Sequence, residues 1–176
     1  MASLVDKNEL VGLGCENPTL IVFSQHRPEL EQYQQLTTLH NLQDSEISFI
    51  GQQTGNHWRK IFNVFAKIVF ALAKTQHSSW QQLRDDYLLQ TGSGLALLFN
   101  PKVITKLDKG IIKLVMGKTF ARTILNDQPQ LSEGLVWIDH EFAFNPNENL
   151  IICPYFDYRQ LSDKKIIRLC NLINKL

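Results

Sequence analysis

The sequence predicts an α/β protein, a three-layer α/β/α sandwich built on a short, mostly parallel central sheet. Three observations carry that expectation. Continuous apolar runs at residues 19–23, 95–99, 111–116 and 150–153 have the pattern of strands covered on both faces, as strands of a parallel sheet are. Segments with apolar residues at helical spacing separate those runs, so strand and helix alternate along the chain. No repeat, low-complexity tract or linker interrupts the alternation, and the 176 residues suit a single domain, 1–176.

The elements follow in order. Residues 1–16 carry no clear pattern and are expected to form a loosely ordered N-terminal segment. Asn17-Pro18 marks a turn into the first strand at 19–23. Pro28 stands where a helix can begin, and residues 29–39, with Leu30, Tyr33, Leu36 and Leu39, read as amphipathic helix. Residues 47–50, closed by Gly51, read as a second short strand.

The clearest helix comes next. Asn56 can cap it, and Trp58, Ile61, Phe62, Phe65, Ile68, Val69 and Leu72 recur at helical spacing. Val64, Phe70 and Ala71 widen the apolar stripe, so most of its circumference should be covered. Ser78 or Ser79 opens another helix through Trp80, Leu83, Tyr87 and Leu88, and Gly92-Ser93-Gly94 breaks the chain before the strand at 95–99. Asn100-Pro101 reads as an N-cap and a first-turn proline for a short helical piece through Val103, Ile104 and Leu107. The strand at 111–116 turns at Gly117 into a helix with Phe120, Ala121, Ile124 and Leu125. Residues 135–138, extendable toward Phe144, and 150–153 are strands on either side of the Asn145-Pro146-Asn147 turn. Ser162 caps a last helix carrying Ile166, Ile167, Leu169, Cys170 and Ile173.

Composition narrows the function classes. Apolar residues make up 44% and charged residues 20%, the balance of a globular protein rather than a disordered one. No apolar run approaches the roughly 20 residues that span a bilayer, and the first ten residues lack a basic stretch followed by an apolar one. A cytoplasmic protein without a membrane partner is therefore expected. Cys15, Cys153 and Cys170 are odd in number and far apart, which suggests neither a disulfide framework nor a zinc knuckle. The net charge of +1 gives no global pull toward nucleic acid, but the charge is uneven. Residues 1–50 hold seven acids and two bases, whereas Lys102, Lys106, Lys109, Lys113, Lys118 and Arg122 cluster against Asp108 alone. Such a cluster can contact phosphates or be the solvated face of surface elements.

Several motifs fail on inspection. Gly117-Lys118-Thr119 lies between a strand and a helix, but a phosphate loop needs a glycine where Ile112 stands. Gly92-x-Gly94 precedes a strand instead of following one, which removes the dinucleotide fingerprint. The five histidines (His26, His40, His57, His77 and His140) show no metal-ligand spacing, and no metal or other cofactor is expected.

Four segments, taken in order, resemble the uracil-DNA glycosylase superfamily. "TGNHWRKIFNVFAKI" is similar to the family's Asn-x-x-aromatic-Lys helix beside the substrate cleft. "GSGLALLFN" resembles its glycine, apolar strand and terminal asparagine, and "IIKLVMGKTFARTI" its strand, glycine turn and alanine-containing helix. "LIICPYFDYRQLSDKKIIRLCNLI" falls where the family has a strand, a DNA-intercalating loop and a last helix. The resemblance implies a glycosylase-like fold with a cleft for a nucleobase, with DNA or a nucleobase as partner and N-glycosidic hydrolysis as the reaction.

The catalytic motifs differ from the family's. Cleavage needs a polar residue to position water and donors for the charge on the departing base. The family's acidic or amide loop is replaced by Ser24-Gln25-His26-Arg27-Pro28, and the intercalating loop's histidine or asparagine by Cys153. A protein that binds a nucleobase or nucleic acid with weak or no excision is therefore the leading expectation. The resemblance makes His26 the catalytic candidate, Gln25, Asn100, Cys153, Tyr155 and Tyr158 the ligand-binding residues, and Lys118, Arg159 and Lys164 the phosphate contacts. Asn100 has a second reading as the N-cap before Pro101, and the tyrosines one as core aromatics. Two rival functions stay open: a non-enzymatic protein-interaction module on the same scaffold, and a hydrolase of a different small substrate with His26 as general base.

Overall fold

A computed structural model describes residues 5–73 and 77–176 of the chain. Its eight strands are β1 (Gly12–Gly14), β2 (Leu20–Phe23), β3 (Leu39–His40), β4 (Leu95–Leu98), β5 (Ile112–Met116), β6 (Val136–Trp137), β7 (Ala143–Asn145) and β8 (Leu150–Cys153). They form one mixed sheet in the order β3-β1-β4-β2-β5-β8-β7-β6. The four central strands, β4-β2-β5-β8, run parallel. β1 is antiparallel to β4 and parallel to β3, and β7 and β6 continue antiparallel beyond β8.

The parallel core agrees with the apolar runs read from sequence, but the sheet is not short. It is widened at both ends by strands of two or three residues; β6 falls within the apolar run 135–138, whereas β1 and β3 carry little apolar pattern of their own.

Side-chain alternation splits each central strand between two cores, which makes the sheet the middle of three layers. Leu20, Val22, Leu95, Leu97, Leu114, Met116, Ile151 and Cys153 belong to one core. The helices packed there are α2 (Glu46–Thr54), α3 (Asn56–Leu72), α4 (Trp80–Asp86) and α6 (Asp163–Ile173). Ile21, Phe23, Ala96, Leu98, Val115 and Ile152 belong to the other, beneath the 3-10 turn Pro101–Lys106 and α5 (Lys118–Asp127). α3 buries Trp58, Ile61, Phe62, Phe65 and Ile68 at a helical period, each contributing roughly 1.5 to 3 kcal/mol. Ser79 caps α4 by accepting from the Gln82 amide at 3.1 Å.

Four local expectations are corrected. Residues 47–50 lie inside α2, not in a strand. Ile47 and Ile50, three apart, are buried, whereas Phe49 between them is 42% exposed, the burial of a helix face. The expected helix over 29–39 shrinks to α1 (Glu31–Gln34), because Leu39 and His40 pair with β1. The N-terminal segment is tied into the sheet from Gly12 onward. A Cβ at Gly12 or Gly14 would lie 2.2 or 2.3 Å from a carbonyl oxygen of β4, so only glycine lets β1 approach so closely. Residues 135–144 form β6 and a separate β7, joined by a turn in which Asp139 Oδ1 accepts from the Glu141 and Phe142 amides.

Among the described residues, no helix is long and apolar enough to cross a membrane.

Candidate functional site at the carboxyl edge of the parallel strands

Register brings the carboxyl ends of the four parallel strands level: Phe23 pairs with Leu98 and Val115, and Met116 with Cys153. The turns that follow β2, β4 and β8 therefore leave from a common rim, the edge at which open α/β sheets hold ligands.

The turn after β2 is built to be stiff. Ser24 is fully buried, and its hydroxyl donates to the His26 carbonyl at 2.9 Å and accepts from the His26 amide at 3.2 Å. The Arg27 guanidinium donates to the carbonyls of Gln34 (2.8 Å) and Leu36 (2.9 Å) and lies 5.3 Å over the Phe99 ring. The Gln34 amide donates back to the Pro28 carbonyl at 2.9 Å. Serine and arginine thus fix the backbone and leave the His26 side chain exposed.

Two further rings join His26 from distant parts of the chain. His57 comes from the first turn of α3, and Tyr155 follows β8 one residue after Pro154. The His57 and Tyr155 rings are stacked, 5.7 Å apart and 11° from parallel, and the Tyr155 hydroxyl is 2.8 Å from His57 Nε2. His26 stands edge-on to both, at 5.9 Å from His57 and 6.4 Å from Tyr155. A Cβ at Gly117 would touch the Tyr155 ring at 3.4 Å, so this cluster also borders the turn after β5. Beside it, Gln25, His26, Arg27, Glu29, Gln34 and His57 line a hollow of about 450 Å³.

The electrostatics favour the uncharged forms of His57 and Tyr155. Burial, followed by the neighbouring His26, pulls the His57 pKa below its ordinary value; Lys60 adds to this, while Glu29 and Asp157 oppose it. Burial and then Asp157 push the Tyr155 hydroxyl up to about 12. A protonated phenol beside an uncharged imidazole can donate to Nε2, and in that tautomer the ring proton of His57 sits on Nδ1. The hydrogen bond from Lys60 at 2.8 Å, followed by the Arg159 amide, draws the Asp157 carboxyl below its usual range. The hollow therefore offers two imidazoles, two amides, a guanidinium and a carboxylate, a set suited to the edge and face of a small planar polar ligand. Among the described residues, no group of three or more His, Cys, Asp and Glu could hold a metal ion.

Gln25, His26 and Tyr155 come together here, and the other candidates do not. Asn100 caps the 3-10 turn: its Oδ1 accepts from the Lys102 amide and its Nδ2 donates to the Glu9 carbonyl, each at 3.2 Å. Cys153 is fully buried among apolar neighbours, with its thiol 3.7 Å from the Val115 carbonyl, and burial pushes its pKa far up. It faces the core rather than the hollow. Tyr158 is 54% exposed and lines a separate groove along α3, with Lys60 5.0 Å from its ring. Lys118 lies along the rim, donating to the His140 carbonyl at 2.7 Å, with its ammonium 5.0 Å from the Trp137 ring. Arg159 and Lys164 are exposed.

Half of the basic cluster at 102–122 is committed elsewhere. Lys106 pairs with Glu9, Lys109 pairs with Glu148 at 3.0 Å, and Lys113 is buried.

Sequence reasoning missed His57, Arg27, Glu29 and Gln34. The segment from Thr54 to Ile68 was marked as cleft-lining, and His57 is its only imidazole. Arg27 lies in the 24–28 loop and Glu29 and Gln34 in residues read as helix, and neither pattern gives a sign of a turn folding back on itself.

Residues 11–174 match the model of a family of unknown function, DUF6942, so the chain belongs to that family. No curated protein and no solved structure matches it.

Proposed function

We propose that this DUF6942 protein holds a nucleobase, free or within nucleic acid, in the hollow beside His26, His57 and Tyr155, on a scaffold like that of the uracil-DNA glycosylases. Cleavage of the N-glycosidic bond is weak or absent. The observation that carries the reading is the meeting of these three rings, from three separate segments, at the carboxyl rim of the parallel strands. A base lying there would find aromatic faces to stack on and the Gln25 and Gln34 amides for its polar edge. Lys118, Arg159 and Lys164 are the candidates for phosphates of an attached backbone.

Weak chemistry follows from the side chains at hand. His26 is free to orient a water. The buried, protonated Cys153 thiol offers a departing base no donor that could stabilise its charge. A gel assay on DNA containing uracil, hypoxanthine or a mismatch, paired with titration of free nucleobases, tests the proposal. Nucleobase binding that His57→Ala and Tyr155→Ala abolish is expected, with little or no strand scission. Absence of binding to every base and every DNA would sink it.

A second reading, a protein-interaction module, is favoured by one observation. Val136 and Trp137 of β6 and the following Ile138 are 60%, 39% and 45% exposed, three large apolar side chains in succession. Co-purification of a partner that Trp137→Ser releases, with no nucleobase binding, would select that reading.

A further inference from the structure

A hollow larger than the one at His26 lies outside the site just described, between α2, α3 and α4. It measures about 850 Å³ and is bordered by Asp44, Ser48, Arg59, Asn63 and Asp86, with Phe62 among its apolar residues. Its charges are unusual in two ways.

First, they are misplaced on their own helices. Arg59 is the fourth residue of α3, near the positive end of the helix dipole, and the first turn of α3 contains no acid. Asp86 is the last residue of α4, where the dipole disfavours an anion. Second, both are exposed and neither is paired with an opposite charge of the protein among the described residues. The ion pair in this hollow joins Arg84 to Asp85 at 2.7 Å, while among the described residues Arg59, Asp44 and Asp86 have no ion-pair partner. Among the described residues, the one polar contact of the Arg59 guanidinium is with Asn56 Oδ1, at 3.5 Å.

The backbone also accommodates Arg59. Gly51 sits inside α2, where glycine costs about 1 kcal/mol relative to alanine. A Cβ at Gly51 would lie 2.7 Å from Arg59 Cγ, so glycine is what lets the stem of this arginine lie against α2.

We infer that this hollow binds a small zwitterion, a molecule with an acid group at one end and an ammonium at the other. The carboxylate or phosphate would take the fork of Arg59, and the ammonium would lie toward Asp86 and Asp44. The Ser48 hydroxyl and the Asn63 amide would supply neutral hydrogen bonds between them. Such a ligand neutralises both misplaced charges at once, which an anion alone or an amine alone does not. The site is independent of the hollow at His26 and stands or falls without it.

The test uses the full chain and thermal unfolding, with O-phosphoethanolamine and a panel of amino acids as zwitterions. Inorganic phosphate and ethanolamine serve as the separated halves. A ligand that binds the folded state raises Tm by mass action. At least one zwitterion is expected to raise Tm at millimolar concentration and to bind about tenfold or more tightly than either half, a gap of about 1.4 kcal/mol. Arg59→Gln and Asp86→Asn should each remove most of that binding. Gly51→Ala, which keeps every charge but displaces the arginine stem, should weaken it as well. Circular dichroism of each variant without ligand separates misfolding from lost binding. The inference is overturned if no zwitterion raises Tm, if phosphate alone binds as well, or if Arg59→Gln leaves binding unchanged.

Discussion

Lys113 poses a contest between burial and hydrogen bonding that one substitution can resolve. The residue is the second of β5 and fully buried, and its ammonium donates to the carbonyls of Asp108 (3.1 Å), Ile111 (3.2 Å) and Glu148 (2.9 Å). Burial pushes its pKa down from 10.5 to about 8, with Glu148 and Asp108 opposing and Lys109 adding to the fall. Because the folded-state value is the lower one, the folded protein has released this proton over a range where the unfolded chain still holds it. Stability should therefore rise with pH between about 8 and 10.5. A gap of that size is worth about 3 kcal/mol.

Lys113→Met removes the titrating group, so wild type should gain about 2 to 3 kcal/mol more than the variant between pH 7.5 and pH 10. Urea unfolding of both proteins at the two pH values measures the difference, and the shared titration of other lysines and tyrosines cancels. Parallel pH dependence in the two proteins would refute the reasoning. It would mean that three carbonyls hold the ammonium charged in spite of its burial.

Three further expectations concern the rim. Ser24→Ala strips the His26 backbone of both its bonds to a buried hydroxyl and should cost about 1 to 3 kcal/mol. At about 2 to 4 °C per kcal/mol for a chain of this size, calorimetry should show a clear fall in Tm, and an unchanged Tm would mean that the turn is held by Arg27 alone. Tyr155→Phe keeps the stacked ring but removes the donor that favours neutral His57, so the His57 pKa should rise in an NMR titration of its ring protons; a fall would contradict the assigned donor. Asn100→Ala should lower stability by about 1 kcal/mol through loss of the cap while leaving nucleobase affinity as it was. A variant that instead loses the base at full stability would restore Asn100 as a reader.

The layered core was legible because its signals are local and redundant. α3 has eight buried residues at helical spacing, and β2, β4 and β8 are apolar at every position. Asn100-Pro101 and Ser79 announce helix starts by the chemistry of their caps. What could not be read depends on partners far away in sequence. Ile47-Ser48-Phe49-Ile50 suits a strand as well as a helix, and packing against α3 decides between them. Gly12-Leu13-Gly14 is a strand only because β4 accepts it without a Cβ. The site shows the same division. His26 and Tyr155 were marked by the strands they follow, whereas His57 gains its meaning from a stacked ring 98 positions along the chain.

The taper of the sheet has a consequence for how the protein behaves in a crowded solution. At each flank the last strand, β3 or β6, is only two residues long. A stray extended chain arriving at either side would find a ladder of two rungs, too little to repay the loss of its own freedom. Fibre-like growth by adding strands is discouraged at both flanks by shortness alone, without the help of a proline or a row of lysines.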